Sequence, residues 1–235
     1  MGSASVKREI NLIRNVFAVA RDEWHWMEHN PFKGLRLPPT APRARRIDPW
    51  KEARPIVRWL GYRTGRPLET KSQDVALAFL VALRTAMRAG EVLALGKGSL
   101  DLKKRVVTIK LKMQYLTGQP HRVPLSRAAD RLLRLVADRD QCFTVTSASL
   151  DTLFRKTKTS LGIEDPHFHD SRAEALTRLS RKVDVMTLAK ISGHKDLLLL
   201  QEHYYRETPE QSRRVSDVLW PRFSVLYLKR LPSDT

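Results

Sequence analysis

Nine consecutive residues from Val75 to Leu83 read Val-Ala-Leu-Ala-Phe-Leu-Val-Ala-Leu, with no polar side chain among them. A helix over Lys71–Leu83 is therefore apolar over most of its circumference, and such a helix has to be enclosed by other elements. It is too short to cross a bilayer, which takes about 20 residues. Its enclosure is therefore expected to be a protein core. The hydrophobic fraction of 42% is enough to build that core and excludes wholesale disorder. A chain of 235 residues has room for one good-sized domain, or for a small one and a larger one.

The segments around this helix are expected to wrap it. Residues 4–29 read as one helix, with Ile10, Ile13, Phe17, Ala20 and Trp24 at alternating spacings of three and four, stopped by Asn30-Pro31. This helix has nothing of its own to bury that stripe against, so residues 1–36 are expected to be the last helix of a truncated or very small N-terminal unit. Residues 37–47 are expected to be a linker, because LPPTAPRARRIDP at 37–49 carries four prolines and a charged end. Arg43, Arg45 and Arg46 there could lie along a nucleic-acid backbone or simply face solvent. Residues 48–235 are expected to form the main domain with its C-terminal segment. Helices are expected at Trp50–Leu60, Lys71–Leu83, Ala89–Leu95, Ala128–Arg139 and Ser147–Leu161. Three more are expected within 170–205, with Asp184 and Asp196 as N-caps and Gly193 as a stop. Two β-rich runs, 106–109 and 121–125, flank the turn-forming Thr117-Gly118-Gln119-Pro120 and predict a hairpin. The fold class is mainly α with a small antiparallel sheet. The apolar segment 216–228, broken by Pro221, suits packing on its own domain or on a neighbour.

Charge narrows the partner. Lys and Arg number 43 against 25 acidic residues, a formal charge of +18, and so large an excess repels itself unless a polyanion is present. Nucleic acid is the expected polyanion. A membrane surface is the weaker rival, since no basic amphipathic segment has one clean apolar face and no lipidation signal is present. The single cysteine, Cys142, excludes an internal disulfide and a multi-cysteine zinc site. With no signal peptide at the start, a cytoplasmic location is expected.

Chemistry concentrates at Pro166–Glu207, where 42 residues hold four of the seven histidines. Asp170 and Ser171 read as helix-start residues, which puts His169 and Arg172 one turn apart on one face. An imidazole and an arginine fork at a helix N-terminus suit a pair of phosphate oxygens. Far upstream, Arg88 emerges between two apolar helices, where it needs a partner. Glu91, three residues on, could orient it, or the two could form a purely structural ion pair. His194 follows Gly193 at a helix joint, and Tyr204 and Tyr205 follow four leucines. Taken singly, the histidine also suits a helix cap and the tyrosine pair suits core packing.

In this order the pieces TAMRAGEVLAL, HRVPLS, HFHDSR, ISGH and YYRE resemble the tyrosine recombinase (phage integrase) family over nearly all of 48–210. Residues 3–38 resemble the family's last core-binding helix and its exit into the linker. The resemblance implies a catalytic-domain-like fold and a role for each residue. Arg88 and Arg172 would clamp the scissile phosphate and offset charge in the transition state. His169 would contact the same phosphate and assist proton transfer, and His194 would donate to a non-bridging oxygen. Tyr204 would be the nucleophile that forms a 3′-phosphotyrosyl link. Because covalent capture keeps the phosphodiester bond energy, neither a metal nor any other cofactor is expected.

The chain departs from the family pattern in three places. The hairpin lysine, normally eight residues before the proline of VPL, falls on Leu116, so Lys112 becomes the substitute general acid, with Lys110 nearby. HDSRA stands where HDLRH is commoner. The nucleophile usually lies nine residues after the second histidine, which here is His203. Tyr204 lies at ten and Tyr205 at eleven, and Tyr205 stays open as an alternative. The implied partners are double-stranded DNA and further copies of the chain, as a tetramer on two DNA sites, from a prophage or mobile element. A topoisomerase-like enzyme with the same tyrosine link, or a silent DNA-binding relative, are the alternatives.

Overall fold

A computed structural model describes residues 2–38, 45–109, 120–163 and 165–205. The chain divides into two compact units, Met1–Ala44 and Arg45–Thr235.

The first unit is built on helix α1, Ser3–Asp22. It ends seven residues before the expected stop. The carbonyl of Val19 takes the N–H groups of both Glu23 and Trp24, and that of Ala20 takes Trp26, while His25 adopts a left-handed φ of 55°. These contacts close the orphan carbonyls of the last turn and reverse the chain. The return segment packs Phe32 on Phe17 with ring centroids 5.1 Å apart, and Arg14 donates to the carbonyl of Leu35. Leu12, Ile13 and Val16 remain exposed.

The second unit is organised around α3, Lys71–Thr85, as the apolar run requires. A reciprocal capping box starts it: Thr70 Oγ1 accepts from the Gln73 N–H, and Gln73 Oε1 accepts from the Thr70 N–H. Val75, Ala76, Leu77, Ala78, Phe79, Val81 and Ala82 are wholly inaccessible. Before it, Asp48 caps Trp50 and Lys51 on a single wide turn, Pro49–Ala53, which runs into α2, Arg54–Trp59. The expected helix over Trp50–Leu60 is thus a wide turn and a short helix. After it come α4, Ala89–Leu93, and an antiparallel sheet β1-β2-β3 of Leu100–Asp101, Val106–Ile109 and His121–Pro124. The expected pairing of the two β-rich runs is present, with Val107 opposite Val123 and Ile109 opposite His121. Val107, Ile109 and Val123 point into the core.

Helices α5, Arg127–Leu133, and α6, Ser147–Ser160, pack on α3 from other sides. Phe79, Phe154 and Phe168 form a triangle of rings with centroids 5.0 to 5.7 Å apart, which joins α3, α6 and the approach to the next helix. The last three helices are α7, Asp170–Ser180, α8, Val185–Ser192, and α9, Leu197–Tyr204. Asp184 and Asp196 cap α8 and α9 through their carboxylates, and Gly193 ends α8 at φ +69°, all three as expected. The expected class, mainly α with a small antiparallel sheet, is the fold observed. The apolar segment 216–228 lies outside the described residues.

Candidate active site

The end of α3 sets the first site residue in place. Ala86 closes the helix in the left-handed region at φ 59°, which breaks the helical path and lets α4 begin three residues later. Arg88 falls at the N-cap of α4. Its N–H donates to Glu91 Oε2 at 2.8 Å and its Nη1 donates to Glu91 Oε1 at 2.7 Å. The Arg88 side chain stays 45% exposed while Glu91 is 14% exposed, so a sunken carboxylate holds a guanidinium that faces out.

Helix α7 supplies the second arginine. The Asp170 carboxylate accepts the His167 N–H and Ser171 Oγ donates to the Phe168 carbonyl, which tightens the turn before the helix. His169 sits at the N-cap and is exposed, whereas Arg172 is only 4% exposed. Arg172 Nη1 donates to the carbonyl of Ala86 at 2.5 Å, and Nη2 donates to the carbonyl of Ser192 at 2.8 Å. Nη1 also lies 4.0 Å from Glu91 Oε2, so one carboxylate faces both arginines. Burial, and then repulsion by Arg88, lower the Arg172 pKa to about 10, with Glu91 and Tyr204 acting the other way. It stays protonated at neutral pH.

The remaining residues come from the turn after α8 and from α9. His194 Nδ1 lies 2.7 Å from Ser192 Oγ. Desolvation, then Arg172 and Arg88, push its pKa down to about 4, so the ring is neutral at pH 7. His169 is shifted down by the same causes, with Asp170 opposing. Tyr204 is half-buried. Burial raises its pKa, while Arg172 opposes the rise. Among the described residues its hydroxyl has no hydrogen-bond partner. Tyr205 differs, because its hydroxyl donates to the carbonyl of Val183 at 2.5 Å. Both rings pack on the small apolar cluster of Ala86, Ala175, Leu176, Leu188, Ala189 and Leu200.

Arg172 therefore feels the charge of Arg88, Glu91 and Tyr204, and His194 that of Arg172, Arg88 and Glu91, with His169 at the rim. Arg45 and Arg46 are held in ion pairs. Arg45 pairs with Glu52 and, at 2.7 Å, with Asp165, and Arg46 pairs with Glu174 at 2.6 Å. Glu174 is buried, which resists ionisation, but hydrogen bonds from Arg46, Arg178 and the Ile47 N–H outweigh this and hold its pKa at about 2. Arg43, Lys110 and Lys112 lie outside the described residues. Sequence reading assigned no role to Ser192, which holds His194, although it stands inside the quoted ISGH. An open cleft of about 850 Å³ lies elsewhere, with Arg54, Arg58, Arg63 and Arg84 around Val57 and Leu80. Among the described residues no helix is long and apolar enough to cross a membrane.

Comparison with known proteins identifies the family. The sequence pattern of the phage integrase family matches residues 63–211. A Haemophilus influenzae protein named as an integrase/recombinase is 40% identical over 208 residues, covering 86% of this chain and 66% of that protein. The shufflon-specific DNA recombinase of Escherichia coli is 32% identical over 204 residues, covering 85% of this chain and 50% of its own length. The chain thus spans between half and two thirds of the curated relatives it matches. Among solved structures, the Tn1549 transposon integrase has a TM-score of 0.68 at 16% identity, covering 92% of this chain and 79% of that one. The catalytic domain of bacteriophage HP1 integrase has a TM-score of 0.54 at 18% identity, covering 77% of this chain and 96% of that one. On the family match and on the order of its site residues, this chain belongs to the phage integrase family.

Proposed function

We propose that the chain is the catalytic part of a site-specific DNA recombinase, which cleaves and rejoins strands through a 3′-phosphotyrosyl intermediate. The observation that carries this reading is the meeting, around Arg172, of a second arginine, a neutral histidine and a tyrosine whose hydroxyl has no hydrogen-bond partner among the described residues. A phosphodiester entering there would meet two guanidinium groups aimed at its non-bridging oxygens, which stabilise the charge of a five-coordinate phosphorus. Tyr204 Oη attacks phosphorus and gives up its proton. The bond to the 5′ oxygen breaks, and that oxygen leaves as a hydroxyl once protonated. A 5′-hydroxyl of another strand then attacks the phosphotyrosine, and the tyrosine departs. One ester bond is exchanged for another in each half, so no outside energy source is needed.

His194 contributes as a donor. Its Nδ1 is 2.7 Å from the Ser192 hydroxyl, whose other contact, to the Ala189 carbonyl, is 3.4 Å. A serine proton given to Nδ1 leaves Nε2–H free to donate to phosphate. His169 at the rim serves proton transfer, and Lys112, or Lys110 beside it, protonates the leaving oxygen. Residues 1–36 act as the end of a core DNA-binding domain, 37–47 as a linker and 48–235 as the catalytic domain. The partners are double-stranded DNA and further copies of the chain in a tetramer, in the cytoplasm. The excess of positive charge supplies salt-dependent attraction to the DNA backbone.

Incubation with a nicked duplex that carries the element's junction sequence tests the reading. An adduct that survives SDS in the wild type and is lost in Tyr204→Phe is expected. DNA binding with no adduct on any junction duplex would instead identify a silent binder. An adduct retained in Tyr204→Phe would remove Tyr204 as nucleophile.

A further inference from the structure

Helix α8 ends two residues before His194, and the last carbonyls of a helix have no partner within it. Here three of them are taken by a side chain or by the closing turn. The Ala189 carbonyl accepts the Gly193 N–H at 2.8 Å, and the Ser192 carbonyl accepts Arg172 Nη2 at 2.8 Å. The Ile191 carbonyl accepts His121 Nε2 at 3.0 Å, from strand β3, 70 positions earlier in the chain. A carbonyl oxygen can only accept, so this contact requires His121 to carry its proton on Nε2. The same ring lies over Gly193. A Cβ built on Gly193 would stand 3.5 Å from His121 Cε1 and Nε2, and φ there is +69°. The imidazole therefore covers one face of the residue that turns the chain into His194.

We infer that His121 is a positioning residue that locks the β2–β3 hairpin to the turn carrying His194. His121 is the first residue of β3, which pairs with β2 along Val106–Ile109. Its bond to Ile191 makes that strand and the His194 turn move as one body. Arg172 and His121 then hold adjacent carbonyls of one helix end, so a phosphate clamp and a hairpin share a single anchor. The inference rests on the proposed recombinase reading for its catalytic meaning, but its structural half does not.

Two variants separate the effects. His121→Phe keeps a ring over Gly193 and removes the donor, and His121→Gln keeps a donor of similar reach. In the full chain without DNA, amide exchange at Gly193 and His194 is expected to quicken roughly tenfold in His121→Phe, the effect of losing one hydrogen bond. His121→Gln is expected to restore most of the protection. Should the Phe variant fail to fold, His121→Leu takes its place in the same comparison. On a junction duplex, the Phe variant is expected to form the SDS-resistant adduct roughly tenfold more slowly at unchanged DNA affinity, with recovery in Gln. Wild-type exchange rates in the Phe variant would overturn the inference. So would altered exchange with an unaltered rate of adduct formation, since His121 would then be merely structural. A wild type that forms no adduct speaks against the recombinase reading instead, and the exchange comparison still decides the role of His121.

Discussion

The guanidinium of Arg172 donates to the main-chain carbonyl of Ala86 at 2.5 Å, joining positions 86 residues apart. Ala86 ends α3 and Ser192, the other acceptor, ends α8, so one arginine closes two helix C-termini. Both ends carry partial negative charge, which offsets part of the cost of burying a cation. The same geometry holds the guanidinium plane in place before any ligand arrives.

Arg172→Lys tests this double role. An ammonium cannot reach both carbonyls with a planar fork, so one buried acceptor loses its partner. Stability is expected to fall by about 1–3 kcal/mol. Strand cleavage is expected to fall by roughly 10²–10³-fold, as when an oxyanion donor is removed. Urea denaturation and single-turnover adduct formation read the two effects.

Tyr205→Phe is expected to retain cleavage, because the Tyr205 hydroxyl is committed to the Val183 carbonyl. The loss is expected in stability, by about 1 kcal/mol for one hydrogen bond. A shift in thermal midpoint with an unchanged adduct yield checks it.

The His194 ring should titrate near pH 4 in the free protein, well below its ordinary 6.5. The unfolded chain binds this proton first as pH falls, so the contribution to stability is complete above about 6.5 and is lost towards 4. Replacement by Gln should flatten that part of the stability profile. A bound phosphodiester offsets Arg172 and Arg88, so DNA should raise the His194 pKa. Histidine side-chain NMR with and without DNA measures the shift.

Glu174→Ala should destabilise the protein by about 1–3 kcal/mol. The Ile47 N–H loses its acceptor, while Arg46 and Arg178, 46% and 41% exposed, can turn to solvent and limit the loss. In the wild type, the carboxylate is ionised down to about pH 2 against an ordinary 4.5. Its contribution is therefore present above 4.5 and disappears as pH falls towards 2. Acid denaturation of the Ala variant should lack this component.

Much of this architecture was legible in the residues. An apolar run such as Val75–Leu83 admits one environment, and Asp184, Gly193 and Asp196 punctuate their helices through local chemistry that needs no tertiary context. Helix α1 was misjudged at its end, since Trp24 continues the apolar spacing although the Val19 and Ala20 carbonyls are captured earlier. The composition of Pro49–Ala53 is that of an ordinary helix, and nothing in it marks the wide turn found there. In the site, motif order pointed to Arg88, His169, Arg172, His194 and Tyr204. The acceptors of Arg172, His121 and Tyr205 were not readable, because Ala86, Ser192, Ile191 and Val183 contribute main-chain oxygens, which every residue type has. That is also why Tyr204 and Tyr205 look equivalent in sequence and differ in the fold.

Glu91 gives the site one more property. Its carboxylate occupies the Arg88 guanidinium at 2.7 Å while the protein is free. A phosphate arriving at Arg88 displaces or shares a tethered anion rather than a mobile one. Arg88 should therefore add less to the steepness of affinity against salt than an open surface arginine would, because fewer small ions are set free at that contact. Arg88 is in this sense pre-neutralised, and under the proposed reading the long-range attraction for DNA comes from charge elsewhere on the chain.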